Sequence, residues 1–163
     1  MKNVNSIPKK IYNLNDLLHM LAQLRMPGKK VSFTNGCFDI LHRGHIASLS
    51  QAAVEADYLV VGLNSDRSAG KLKGAGRPVN DEQSRALLLA SLLIVDAVII
   101  FDEDTPLELI KAIEPDVLVK GGDYTMDQIV GSKEVIAKGG KVIINPIMAG
   151  FSTTEILQKI ERL

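Results

Sequence analysis

His42 and His45 stand three residues apart at the end of the run VSFTNGCFDILHRGH, residues 31–45. Residues at that spacing share one face of a helix. The start of a helix carries free N–H groups and a partial positive charge. Two imidazoles on such a face can donate hydrogen bonds to phosphate oxygens. Gly44, between them, lets a ligand come close to the backbone. The pair alone is equally compatible with polar contacts at a helix start, or with half of a metal site. The apolar strand and the Asn35-Gly36 turn ahead of it favour phosphate, since strand–turn–helix junctions hold anions in α/β proteins.

Other loops carry further candidates. Lys71 and Lys73 alternate along a glycine- and lysine-rich stretch. In an extended chain both would face one ligand, although loop lysines are usually solvated. Ser152, Thr153 and Thr154 head a helix, where hydroxyls and N–H groups can bind an anion or simply cap. Arg77 and Lys120 add positive charge at the same sheet edge. Asp102 and Asp104 are either a Mg²⁺ site or a solvated strand end. Arg85 sits one turn inside a helix, from which it reaches the site or pairs with Glu82. Cys37 has the chemistry of a nucleophile but no activating partner, and reads as packing. A Walker-type Gly-x-x-x-x-Gly-Lys-Ser/Thr loop is absent, as is Gly-x-Gly-x-x-Gly after a strand.

These residues need a scaffold that gathers loops at one edge. Strand patterns fall at residues 31–34, 58–63, 97–101, 116–119 and 141–145, separated by helical patterns. Alternation of this kind predicts an α/β fold: a Rossmann-like parallel five-stranded sheet with helices on both faces. Helices are expected from about 44 to 56, from a capping box at Asn80 and Gln83, from Thr105-Pro106, near 132–138, and from Ser152 onward. Residues 67–78 have no apolar period and read as a mobile loop. Residues 1–12 read as a loose arm. Leu14, Leu17, Leu18, Leu21 and Leu24 put a broad apolar face on a helix over 14–25, for covering the sheet or for a homodimer contact. The expected division is an arm and helix, 1–28, packed on a domain of residues 29–163.

Composition narrows the partners. Lys+Arg and Asp+Glu are balanced at 19 each, so no global field draws nucleic acid or an anionic membrane, and any anion site must be local. The single cysteine excludes an intrachain disulfide. The first residues lack a signal-peptide apolar run, and no apolar run is long enough to span a bilayer. A cytoplasmic setting is expected.

The motifs together resemble a known family. Gly36-Cys-Phe-Asp39, His42-Arg-Gly-His45 and Ser152-Thr-Thr154 are similar to the nucleotidylyltransferases with a His-x-Gly-His motif. Residues 61–66 (VGLNSD), 72–74 (LKG), 77–80 (RPVN), 104–106 (DTP), 118–124 (LVKGGDY) and 131–135 (GSKEV) resemble the adenylyltransferase half of bacterial bifunctional ADP-heptose synthases. The resemblance covers about residues 12–163, in matching order. It implies adenylyl transfer from ATP, with Mg²⁺, to D-glycero-β-D-manno-heptose 1-phosphate, for lipopolysaccharide or other surface glycans. A separate heptose 7-phosphate kinase would feed it. It implies that His42 and His45 contact the ATP phosphates and that Thr34, Phe38 and Asp39 line the nucleotide side of the turn. It implies that Lys71 or Lys73 reaches the phosphates, that Asp123 lies near nucleotide or sugar, and that Ser152, Thr153 and Thr154 close the triphosphate site. Glu155 and Ile156 stand where many relatives carry a basic residue, leaving phosphate binding there to hydroxyls and amides. A cytidylyltransferase acting on glycerol 3-phosphate or a related polyol phosphate is the alternative within the fold. A non-catalytic nucleotide-binding module and a redox enzyme using Cys37 are the alternatives outside it.

Overall fold

The structure is a computed structural model in which residues 4–122, 124–146 and 150–163 are described. Six strands form one sheet in the order β1-β4-β3-β2-β5-β6, and every neighbouring pair is parallel. They are β1 (Ile11–Tyr12), β2 (Val31–Gly36), β3 (Tyr58–Asn64), β4 (Ala97–Phe101), β5 (Val117–Gly121) and β6 (Lys141–Asn145). From β2 the chain steps outward through β3 and β4, then returns to lay β5 on the other side of β2. The reversal puts a switch point between β2 and β5, where α/β proteins bind ligands beyond the strand ends.

Both faces of the sheet are covered, as the nearly continuous apolar strands require. One core layer joins Phe33, Val60 and Leu118 to Leu17 and Leu21 of α1 (Leu14–Arg25) and to Ile110 and Ile113 of α5 (Leu107–Ile113). The other joins Val61, Leu63 and Val119 to Leu49 and Ala52 of α2 (Arg43–Ala53) and to Ala86, Leu89 and Ala90 of α4 (Glu82–Ala90). Leu17 and Leu21 are fully buried, each worth about 1.5–3 kcal/mol. The leucine face of α1 thus covers the sheet. The remaining helices are α3 (Asp66–Lys73), α6 (Ser132–Ala137) and α7 (Thr153–Ile160). Among the described residues, no helix is long and apolar enough to cross a membrane.

Three expectations are corrected. The sheet has six strands rather than five, because part of the expected loose arm forms β1 on β4. Lys10 anchors that arm, donating to the carbonyls of Leu92 (3.2 Å) and Val95 (2.7 Å). Much of the expected loop at 67–78 is helix α3. It is nucleated by Ser65, whose side chain accepts from the Ser68 N–H, with Asp66 in its first turn and Lys71 and Lys73 in its last. Those charges suit the helix dipole. Gly70 has no side chain because a Cβ would meet the Arg77 carbonyl at 3.3 Å. The capping box at Asn80 and Gln83 is replaced by a single cap. Asp81 accepts from the Ser84 N–H, while Asn80 is engaged by Asp39.

Candidate active site

β2 ends at Gly36, and the chain turns through Phe38 in the left-handed region (φ 44°) before entering α2. A non-glycine residue there is uncommon and costs backbone energy. The turn brings the Phe38 ring against His45, centroids 5.3 Å apart. His42 caps α2: its Nδ1 accepts from the Gly44 N–H at 3.1 Å. That bond fixes the neutral tautomer with hydrogen on Nε2, leaving Nε2–H as a donor. The His42 and His45 rings stack, centroids 3.9 Å apart and 22° between planes. Burial lowers the pKa of both. For His45, burial first, then the positive charges of His42 and Lys73, bring it to about 4. For His42, Glu155 opposes the burial effect. Neutral imidazoles donating N–H bonds are therefore what the site holds before an anion arrives. The Nδ1 atom of His45 is buried with no hydrogen-bond partner among the described residues.

A second helix start meets the first. Ser152 caps α7, accepting from the Glu155 N–H at 3.1 Å, and Thr153 and Thr154 form its first turn. The two ends touch. Arg43 lies over the Phe151 ring at 5.5 Å, and a Cβ on Gly44 would sit 3.3 Å from the Phe151 carbonyl and 3.0 Å from the His42 ring. Gly44 thus permits close packing of protein on protein, as well as any ligand approach. Two positive helix ends and the histidine pair converge at one place, an arrangement whose chemistry suits an anion.

The lysines separate. Two positions apart on a helix lie about 200° around its axis. Lys71 pairs with Asp104 at 2.6 Å on the exposed side. Lys73 lies within electrostatic range of His45, Cys37 and Lys120. The expectation that both lysines face the same way is corrected by the helix. Asp102 is held by Arg67 at 2.6 Å and by the Ser65 hydroxyl.

Thr34 is buried at the strand end. Asp39 is buried too, and its carboxylate is occupied: it accepts from Arg77 Nε (2.6 Å), the Val79 N–H (2.7 Å) and the Asn80 N–H (3.0 Å). Burial alone would raise its pKa, but these bonds outweigh it and hold the carboxyl below its ordinary value. Asp39 thus ties the 77–80 segment to the turn. Arg85 does not pair with Glu82; it reaches the site turn from below, through buried backbone carbonyls. Fully buried, it donates to the carbonyls of Cys37 (2.6 Å), Asn64 (2.9 Å) and Asn80 (2.9 Å), and pairs with Asp66 at 2.7 Å. It is the hub that fixes the β2 turn, the β3 end and the α3 start together. The signal for it was present: Arg85 is the only charge between Glu82 and Asp96. Burial raises the Cys37 thiol, with Lys73, Arg85 and Lys120 opposing. A protonated thiol fits packing rather than attack. Asp123 lies outside the described residues.

Beside this site, at the switch point, is a cavity of about 170 Å³ lined by Asn35 and Lys120 at the ends of β2 and β5, and by Tyr124 and Gln128. Leu118 and Ile129 form its apolar floor. The sequence marked Lys120 only as one charge among several.

Comparisons with known proteins identify the family. A family model described as cytidylyltransferase-like matches residues 33–159. The bifunctional protein HldE of Hyphomonas neptunium is 54% identical over 91% of this chain, and that of Caulobacter vibrioides 58% over 83%. The chain spans only about 30% of the length of these curated relatives. The crystal structure of the lipopolysaccharide core biosynthesis protein from Thermoplasma volcanium is 30% identical, covers 74% of this chain and 98% of its own, and superposes with a TM-score of 0.62. Pantoate-beta-alanine ligase from Francisella tularensis, solved with beta-gamma ATP and beta-alanine, shares the fold at 17% identity over 94% of this chain and 78% of its own, with a TM-score of 0.59. With its His-x-Gly-His turn set against a second helix start, the chain belongs to the cytidylyltransferase-like family of nucleotidyltransferases.

Proposed function

We propose that this chain transfers AMP from ATP to D-glycero-β-D-manno-heptose 1-phosphate, releasing pyrophosphate and forming ADP-heptose. The observation that carries the reading is the convergence of the α2 and α7 starts on the stacked His42–His45 pair, with Lys73 in electrostatic range. A triphosphate is the ligand class suited to that density of N–H donors and positive charge. The heptose acceptor is supported by relatives that are bifunctional HldE proteins and by a structural neighbour from lipopolysaccharide core biosynthesis.

The chemistry needs little from the protein beyond placement. The acceptor phosphate is already an anion, so no general base is required. One of its oxygens bonds to the α-phosphorus, the bond to the bridging oxygen breaks, and pyrophosphate leaves with the electron pair. Catalysis is then positioning plus stabilisation of charge at the reacting and leaving oxygens. The His42 Nε2–H and the His45 imidazole donate there, Lys73 adds charge, and Ser152, Thr153 and Thr154 hold the far phosphates with hydroxyls and amides. Among the described residues, no three His, Cys, Asp or Glu side chains gather as a metal cage. Mg²⁺ would enter with ATP, offsetting triphosphate charge.

The base is a separate question, since the family model is described as cytidylyltransferase-like. Pyrophosphate release with ATP or CTP, each against heptose 1-phosphate and glycerol 3-phosphate, tests both halves of the reading. ATP with heptose 1-phosphate is expected to be fastest. Faster turnover of CTP with glycerol 3-phosphate would replace it with the polyol-phosphate alternative.

A further inference from the structure

We propose that Arg77 is a phosphate-binding arm of this site, held by Asp39 so that its two terminal amino groups grip the phosphates that leave as pyrophosphate. The inference rests on the adenylyl-transfer reading above and adds a residue to its phosphate site.

The position follows from what ties the arm down. Asp39 belongs to the turn that follows β2, and its Oδ2 accepts from Arg77 Nε at 2.6 Å. The other Asp39 oxygen accepts from the N–H groups of Val79 and Asn80, and Asn80 Nδ2 donates to the Asp39 carbonyl at 3.0 Å. On the other side, the Arg77 N–H donates to the Gly74 carbonyl at 3.3 Å, just past the last turn of α3, which carries Lys73. Arg77 therefore bridges the end of α3 and the histidine turn. Charge confirms that the two are near each other, since Lys73 and Asp39 both act on His45. An anion that meets Lys73 and His45 lies within reach of a side chain fixed between them.

Elimination singles out the arm. On this side of the site Arg67 is held by Asp102, Lys71 by Asp104, and Arg85 by Asp66 and three carbonyls. Among the described residues no carboxylate pairs with Lys73, and the terminal amino groups of Arg77 have no partner. The Arg77 side chain is only 14% exposed. Even so, its amino groups are not sealed. Among the described residues, the sealed side-chain polar atoms without a partner are His45 Nδ1 and Asn145 Nδ2. The amino groups thus reach an opening. A guanidinium mostly withdrawn from water, with idle donors, is matched by an oxyanion. Asp39 offsets the charge of the arm but engages only Nε, so the planar fork stays available for two phosphate oxygens. The α-phosphorus must stay open to the incoming oxygen. The fork therefore suits the phosphates beyond it, where charge gathers as pyrophosphate leaves.

The test uses the full chain and reads the affinity of inorganic pyrophosphate with Mg²⁺ by calorimetry, so neither base nor acceptor enters. AMP, measured the same way, reports the rest of the nucleotide site. Arg77→Lys separates binding from architecture. A lysine can pair with Asp39 and keep the segment in place, but its point charge is then engaged and it has no fork. It is expected to weaken pyrophosphate at least tenfold while leaving AMP within about twofold. Arg77→Met removes charge and fork together and is expected to weaken pyrophosphate at least as much. If Arg77→Met does not fold, Arg77→Lys decides. Wild-type pyrophosphate affinity in Arg77→Lys overturns the proposal, because Arg77 would then serve Asp39 alone. An equal loss of AMP affinity overturns it as well, and so does a wild-type chain that binds no pyrophosphate. Failure of the adenylyl-transfer reading looks different. The wild-type chain would bind pyrophosphate and lose it in Arg77→Lys, yet release none from ATP with any acceptor.

Discussion

At the scale of single residues, His45 carries the sharpest expectations. Its ring is stacked on His42, edged by Phe38 and largely withdrawn from water. If it donates only as charge moves to the leaving oxygens, His45→Ala should cut kcat by about 10²–10³ with little change in ATP Kd. Equal losses in both would mean plain ground-state binding. The same burial sets a pH dependence in the nucleotide-free protein. The folded-state pKa of about 4 lies below the ordinary 6.5. Between those values the unfolded chain holds a proton that the folded chain does not. Stability therefore falls as pH drops from about 6.5 toward 4, and His42, shifted the same way, adds to the slope. Urea midpoints at pH 7 and pH 4.5 should differ more for wild type than for His45→Gln. Matching differences would show that His45 is not the group responsible. The sequence displayed the two histidines plainly. It did not display their tautomer, which depends on the Gly44 N–H, or the occupied state of Asp39, which depends on residues about forty positions away.

At the scale of elements, the site is a meeting of two helix starts, and Gly44 is where they touch. A methyl group there would press on the His42 ring and the Phe151 carbonyl. One contact is a side chain on the same turn, and the other is the backbone just before α7. Gly44→Ala should therefore move α7 outward and lower turnover at least tenfold. Its melting temperature should change little, since neither group belongs to the core. A wild-type kcat in Gly44→Ala would separate the two helix ends functionally. Caps marked by local chemistry were legible: Ser152 before α7 needs only its neighbours. α3 was not, because its faces show no apolar stripe. It is held by Ser65, by dipole-matched charges and by the buried Ser68 and Ala69. A period-based reading sees only glycines and lysines there. The role of Arg85 was hidden for a related reason. An arginine's partners can be distant carbonyls, and these leave no mark in residue type. Arg85→Met would leave three carbonyls and Asp66 without their donor. Leaving a buried carbonyl without its donor costs about 1–3 kcal/mol, which chemical denaturation would register before any assay of activity.

At the scale of the whole molecule, the alternation of strands and helices made a parallel sheet legible, but not its order or its edge. Order depends on which faces pack across the sheet, and those contacts join residues far apart in sequence. The edge was missed because a two-residue strand is too short to show alternation. β1 lies three strand positions from β2, about 14 Å at the usual spacing. It completes the sheet on the side away from the switch point. Stability and chemistry should therefore separate when the arm is disturbed. The Lys10 ammonium bridges the arm to two carbonyls just before β4. A hydrogen bond to a charged group is worth about 1.5–3 kcal/mol, less where water competes. Lys10→Ala should thus cost about 1–3 kcal/mol. For a chain of this length that corresponds to about 2–4 °C of melting temperature per kcal/mol. KM for ATP and kcat should stay at wild-type values, because neither β2 nor the two helix starts touch the arm's anchor. A thermal melt and a pyrophosphate-release assay on the same preparation check both halves. Loss of turnover at an assay temperature well below the melt would show that the edge of the sheet reaches the active site after all.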